Sequence, residues 1–158
     1  PHKKFTSIEL FAGAGGLALG LHLSGLNCLL LNEIDLVACQ TLKTNMPDWN
    51  VVNGDVKNIS FKEYNGKVDV LTGGFPCQAF SYAGRKLGFS DTRGTLFYEY
   101  ARVLDEIRPK IFLAENVRGL LNHDSGRTLS TILSVLKEVG YDVYAPKLLK
   151  AIHSIPPI

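Results

Sequence analysis

The stretch FTSIELFAGAGGLALGLHLSGLNCLLLNE, residues 5–33, decides the fold. It opens on a short apolar run, FTSIEL, suited to one buried strand. A cluster of small residues follows. LALGLHLSG then reads as an apolar helix closed by Gly25, and NCLLLNE reads as a second buried strand. Strand, glycine turn, helix and strand form the unit from which parallel sheets are built.

The same rhythm continues downstream. DLVACQTLKTN reads as a helix with Asp35 at its start, stopped near Pro47, and WNVVNGD as a weak third strand. KVDVLTGGF is a fourth strand. After a glycine-rich loop, TLFYEYARVLDEI is an amphipathic helix ended by Pro109, and KIFLAEN is a fifth strand. SGRTLSTILSVLKEVG is a helix with Ser125 as its cap and Gly140 as its stop, and YDVYAPKLLKA is a sixth strand. Apolar strands alternating with helices predict an α/β fold: a doubly wound, Rossmann-like, mostly parallel sheet with helices on both faces. Sites in such folds lie outside the carboxyl ends of the strands. Here FAGAGG, NEID, GDV, GGFPCQ and AENVRG all follow strands, so five strand ends converge on one crevice.

The bulk properties narrow the class. The length of 158 residues suits one domain, expected to span residues 1–158. Hydrophobic residues make up 46% and charged residues 20%, as in soluble globular proteins. No apolar run reaches the roughly 18 to 20 residues of a membrane span. The basic start is followed by an apolar part broken by Glu9 and glycines, so no signal peptide is expected. A formal charge of +2 argues neither for nor against nucleic acid. The cysteines, Cys28, Cys39 and Cys77, are odd in number and form no C-x-x-C. That points away from a disulfide framework or a zinc site and towards a reducing cytoplasm. Cys28 and Cys39 read as core residues. Cys77 has no apolar periodicity around it.

LFAGAGGLALG fits G-x-G-x-x-G/A through Gly13, Gly15 and Ala18, and Glu33 ends the next strand 20 residues after Gly13. Glycines admit close approach of a ligand, the helix offers free N–H groups, and the acid can accept from ribose hydroxyls. This predicts a nucleoside cofactor but does not separate NAD from S-adenosylmethionine. Asp55 reads either as an acceptor for an adenine amino group or as a turn aspartate. Cys77 at the fourth strand end and Glu115 at the fifth face one crevice. One chemistry needs both. Carbon 5 of cytosine is a poor nucleophile until a thiolate adds at carbon 6, and an acid at nitrogen 3 stabilises the charge pushed into the ring. Partial burial would help Glu115 keep its proton. The target base must leave the duplex stack.

At this point the chain resembles the cytosine-carbon-5 DNA methyltransferases, especially the bacterial modification enzymes. The resemblance runs in order along nearly the whole chain. FAGAGGL resembles the first cofactor motif, which implies cofactor contacts from Phe11, Gly13, Gly15, Gly16 and Leu17. NEID implies Glu33 on the ribose hydroxyls, with Ile34 beside it. GDV implies Asp55 and Val56 at the adenine. GFPCQAFS resembles the nucleophile motif, with Cys77 attacking and Pro76 fixing the turn. RGTLFYEYARVL implies Leu96 in the cofactor pocket, and AENV implies Glu115 as the acid. The loop at residues 81–95 implies DNA closure, with Ser81, Arg85, Lys86, Arg93 and also Asn116 on the substrate. The implied cofactor is S-adenosyl-L-methionine, leaving as S-adenosyl-L-homocysteine, with no metal. The implied substrate is double-stranded DNA, with transfer RNA a lesser variant, and the implied setting is restriction-modification in the bacterial cytoplasm.

Family enzymes run to roughly twice this length, with a Gln-x-Arg-x-Arg motif, a target recognition domain and returning segments beyond the sixth strand. The chain is therefore expected to be the front part of such an enzyme, a fragment or one subunit of a split methylase, inactive alone. A second chain or further carboxyl-terminal segments would carry the target recognition domain. Two competing readings remain: an NAD-dependent oxidoreductase on the same glycine loop, and a non-catalytic cofactor-binding scaffold module.

Overall fold

The computed structural model describes residues 4–76 and 96–144. The chain divides into two compact units, Pro1–Asn116 and Val117–Ile158.

In the first unit, β1 (Thr6–Leu10), β2 (Asn27–Glu33), β3 (Val51–Asn53), β4 (Val70–Gly73) and β5 (Ile111–Ala114) form one sheet in the order β3-β2-β1-β4-β5. All four pairings are parallel. From β1 the chain winds outward through β2 and β3, then returns to β4 on the other side of β1. The order therefore reverses between β1 and β4, the switch point at which such sheets bind ligands. The predicted doubly wound fold is what is found.

The register sorts the two faces, since paired residues of a parallel sheet project the same way. Glu9 pairs with Leu31 and with Thr72. Leu31 packs with Ala18 of α1 (Gly16–Leu23), with Cys39 and Leu42 of α2 (Leu36–Asn45), and with Val51. Leu10 pairs with Gly73 on the opposite face. There Tyr100 of α3 (Leu96–Ile107) lies so close that a Cβ on Gly73 would sit 2.9 Å from its ring. Helices α1 and α2 thus cover one face and α3 the other. On α3 the buried Phe97, Tyr100, Ala101, Leu104 and Ile107 recur at helical spacing, the pattern that made the helix legible. Cys39 is buried in the core, as expected, and Cys28 is half-buried against it.

Asp35 caps α2, accepting from the Ala38 N–H at 2.7 Å. At the amino ends of the strands, Asp69 accepts from the Thr6 N–H at 2.9 Å and from Lys110 Nζ at 2.6 Å. The Lys110 and Thr6 donors hold its carboxyl down, at about 2.

The second unit holds two 3₁₀ turns, Arg118–Leu121 and His123–Gly126, and α4 (Arg127–Glu138). Ser125 is not the cap of α4. Asp124 and Ser125 take left-handed backbone, φ 51° and 54°, and Gly126 occupies the N-cap at φ 82°. A cap residue needs extended dihedrals to turn its side chain onto the first turn, and left-handed Ser125 cannot supply them. Residues 141–144 form no strand, and the rest of the expected sixth strand lies outside the described residues.

Candidate active site

The carboxyl ends of β1, β2 and β3 are stitched into one wall. Phe11 has left-handed backbone at φ 57°, and so do Gly13 at 54° and Gly15 at 89°. For a phenylalanine this conformation is strained, the kind of backbone found where a ligand is held. A Cβ on Gly15 would reach within 2.3 Å of Leu42, whereas one on Gly13 would meet nothing within 4 Å. Gly15 therefore serves packing, and Gly13 faces open space. No side chain caps α1, whose N-cap is Gly15. Its first-turn N–H groups thus have no side-chain cap.

Glu33 holds this wall together. Its Oε2 accepts from the Gly13 N–H at 2.7 Å, and its Oε1 from the N–H groups of Ile34 and Asp35 at 2.8 and 2.9 Å. A carboxylate has about four acceptor positions, so three are taken by backbone and one stays open. The spacing of 20 residues foresaw the acid at the loop; it did not foresee that the acid ties the loop down.

Asparagines complete the stitching. Asn53 donates to the carbonyls of Glu33 and Ile34 at 3.2 and 2.9 Å, and Asn32 to Gly54 O at 2.9 Å. These side chains were missed in the sequence, although amides flanking a strand-end acid are a usable signal. Ile34 is 66% exposed despite being apolar. Asp55 starts a 3₁₀ turn over Val56–Asn58, accepting from the Lys57 N–H through Oδ1 at 3.0 Å. Among the described residues nothing donates to its second oxygen. Val56 is buried. The expected cofactor residues on β1, β2 and β3 are thus brought to one crevice wall.

The other wall comes from β4 and β5. Phe75 is buried, with its ring 5.3 Å from that of Phe97 and 5.5 Å from that of Tyr100. Asn116 Nδ2 donates to Phe75 O at 2.7 Å. The segment leading through the exposed Pro76 to Cys77 is therefore anchored on α3 and tied across to the end of β5. Neither tie was read from sequence, where Asn116 was assigned to DNA alone. The Glu115 N–H donates to Gly73 O at 3.0 Å, continuing the β4–β5 ladder. A Cβ on Gly74 would stand 3.0 Å from Glu115 Oε2, so glycine leaves that carboxylate its space beside the β4 end. Glu115 is exposed rather than half-buried. Among the described residues, its carboxylate accepts no hydrogen bond. Leu96 begins α3. Cys77, Ser81, Arg85, Lys86 and Arg93 lie outside the described residues.

Glu9 was passed over in the sequence. It lies on β1 with 4% of its surface exposed and one oxygen, Oε2, without a hydrogen-bond partner. Burial pushes its carboxyl up to about 7 against a weaker opposing bond from Thr72.

No helix among the described residues is long and apolar enough to cross a membrane. Among the same residues no group of three or more His, Cys, Asp or Glu could hold a metal ion.

Comparison with known proteins gives this geometry a family. The model of the C-5 cytosine-specific DNA methylase family matches residues 5–154. Type II methyltransferase M.Eco47II of Escherichia coli is 64% identical over 153 residues, covering 96% of this chain and 37% of that protein. Type II methyltransferase M.PspPI of Psychrobacter sp. (strain TA137) is 57% identical, covering 99% of this chain and 38% of its own length. Among solved structures, a candidate DNA modification methyltransferase encoded within an E. coli prophage superposes with a TM-score of 0.67 at 30% identity, over 85% of this chain and 38% of that one. The chain thus spans less than two-fifths of the length of these relatives. Neither an oxidoreductase nor a scaffold module is favoured by these matches. The chain belongs to the C-5 cytosine-specific DNA methylase family.

Proposed function

We propose that this chain supplies the cofactor crevice and the thiol–acid pair of a DNA (cytosine-5-)-methyltransferase. The observation that carries the proposal is the adjacency of two strand ends. β4 runs through the anchored Phe75 and Pro76 to Cys77, and its neighbour β5 runs directly into Glu115, with Gly73 and Ala114 in register.

S-adenosylmethionine fits the opposite wall. The uncapped start of α1 suits its carboxylate, the open acceptor position of Glu33 its ribose, exposed Ile34 an adenine face, and the free Asp55 oxygen an exocyclic amino group. Phe11, Gly13, Gly15, Gly16, Leu17, Val56, Pro76 and Leu96 complete the assigned set. When bound, the cofactor supplies an electrophilic methyl group on sulfur. The chain's residues do the rest. Cys77 adds as thiolate to carbon 6 of a flipped-out cytosine, and Glu115 donates a proton at nitrogen 3. Carbon 5 thereby becomes nucleophilic enough to take the methyl group from sulfur; the protons at carbon 5 and nitrogen 3 then pass to water, the C6–S bond breaks, and the Cys77 thiolate is restored. Ser81, Arg85, Lys86 and Arg93 are assigned to the DNA, where the three positive charges would position the backbone without reading sequence. Asn116, tied to Phe75, serves the site by holding the Cys77 approach.

Residues 1–158 act as one catalytic domain, and the target bases are read by segments outside it, in the same polypeptide or a second one. The relatives' greater length supports this. Alone, the chain is expected to give no sequence-specific methylation. The setting is a restriction-modification system in the cytoplasm, as the Type II relatives suggest.

The test is a covalent trap. Duplex DNA carrying 5-fluorocytosine in the target position is incubated with S-adenosylmethionine and a transfer-competent preparation containing this chain. An adduct mapping to Cys77 is expected. Methyl transfer to ordinary cytosine by the same preparation, with no adduct at Cys77, would overturn the proposal.

A further inference from the structure

The turn after β3, which carries Asp55 and Val56, is only three residues of 3₁₀ helix. So short a turn holds its shape poorly alone. Beyond its own backbone bonds and the Asp55 cap, it is braced from across the sheet order by Arg102 of α3. Arg102 Nη2 donates to the carbonyls of Val56 and Ile59 at 2.9 and 3.3 Å. Its Nε donates to Glu99 Oε2 at 2.7 Å and its Nη1 to Glu106 Oε1 at 2.8 Å. The second oxygen of Glu106 accepts from the Phe61 N–H at 2.8 Å, and its backbone carbonyl accepts from Asn65 Nδ2 at 2.8 Å.

The arrangement is specific to a guanidinium. Four of its five N–H donors are engaged in one plane, aimed at four acceptors in different directions. Two carboxylates hold the head of the fork from α3 itself, so its remaining edge can point only at the turn. The side chains of Glu99 and Glu106 are 9% and 14% exposed, and ties so shielded from water persist better than surface ion pairs. Helix α3 thereby carries two stripes. Phe97 and Tyr100 hold the approach to Cys77, and Arg102 holds the approach to Asp55.

We infer that Arg102 is a positioning residue for adenine recognition: it fixes the carbonyls of Val56 and Ile59 so that the unengaged oxygen of Asp55 stands where an exocyclic amino group arrives. The inference rests on the reading of Asp55 as the adenine contact.

Calorimetry with two probes tests it, S-adenosyl-L-homocysteine and its hypoxanthine counterpart S-inosyl-L-homocysteine, in which a carbonyl replaces the amino group. The wild-type chain is expected to prefer the adenine ligand by about tenfold to a hundredfold, the worth of one hydrogen bond to a charged acceptor. In Arg102→Met that preference shrinks to within about threefold, because the turn no longer presents Asp55. Arg102→Lys, with one nitrogen for four acceptors, loses most of the preference but less than Met. Amide exchange quickens at Asn58 and Ile59, whose N–H groups close the turn, and stays unchanged at Gly13. A preference left at the wild-type level in the folded variants overturns the inference. So does an equal loss for both ligands, the mark of a general structural support. A wild-type chain that binds both ligands equally defeats the Asp55 reading itself, and the inference with it. If Arg102→Met does not fold, Arg102→Lys decides by the same ratio.

Discussion

Two carboxylates stand at the carboxyl ends of two strands of one sheet, and the chain treats them oppositely. Glu33, at the end of β2, is gripped by three backbone N–H groups that include the glycine loop. Glu115, just past β5, accepts nothing among the described residues and stands exposed. The wall formed by the ends of β1 and β2 spends three of its acid's roughly four acceptor positions on fixing backbone. The other wall keeps its acid free and fixes only the backbone around it, through Phe75, Asn116 and the ladder to Gly73. Binding sites gain from such preorganisation because less must be ordered when the ligand enters. A group that must meet its substrate gains from a carboxyl not already engaged by the protein.

The largest break in this comparison is expected at the thiol. Cys77→Ser is predicted to abolish methyl transfer in a complete preparation while leaving S-adenosylmethionine affinity within about twofold, because a serine hydroxyl is not ionised near neutral pH as a thiol can be. Single-turnover methylation and calorimetry on the same samples measure both. Next, Glu115→Gln is predicted to slow transfer by about 10²- to 10⁴-fold, the usual range for a general acid. Its thermal midpoint should stay at the wild-type value, since no bond among the described residues is lost.

A third carboxylate sharpens the contrast. Glu9 is neither tied like Glu33 nor open like Glu115; it is buried with one oxygen unpartnered. Burial raises its carboxyl from 4.5 to about 7. Below the lower value both folded and unfolded chains are protonated. Between the two, the folded chain keeps a proton that the unfolded chain has released. Stability should therefore fall as pH rises through that window, by at most about 3 kcal/mol. Urea unfolding midpoints measured across it would reveal the fall, and Glu9→Gln should flatten it. A wild-type profile that rises over the same window would mean that Glu9 ionises with a partner in place.

The smallest of these effects belongs to Glu33→Ala, at roughly tenfold to a hundredfold in S-adenosylmethionine affinity. Because the Gly13 N–H loses its acceptor, the variant should also show faster amide exchange at Gly13. Weakened binding without that faster exchange would leave Glu33 as a ribose contact alone.

The parts of this molecule that were legible in its sequence are those governed by periodicity and chain punctuation. Apolar runs marked all five described strands, and Asp35, Gly25 and Pro109 marked helix ends where they are found. The parallel sheet followed from alternation of strands and helices, but the order β3-β2-β1-β4-β5 did not. What stayed illegible depends on contacts far apart in the chain. Arg102 meets Val56 across 46 residues, and Asn116 meets Phe75 across 41. Neither has a local pattern to mark it. Glu9 looked like an interruption of an apolar run because burial is a property of the packed sheet rather than of β1. Ser125 failed as a cap for a nearer reason: the backbone before α4 turns left-handed, and glycine takes that position more easily.

The division of labour between Glu33 and Glu115 is tested most directly by crossing two variants with two readouts. Glu33→Gln and Glu115→Gln are each measured for S-adenosyl-L-homocysteine affinity by calorimetry and for single-turnover methylation at saturating cofactor. Glu33→Gln should lose affinity by about tenfold and keep its rate, and Glu115→Gln should keep affinity and lose rate by about a hundredfold or more. If both variants lost affinity and rate together, the two acids would belong to one undivided site, and the account given for them would be wrong.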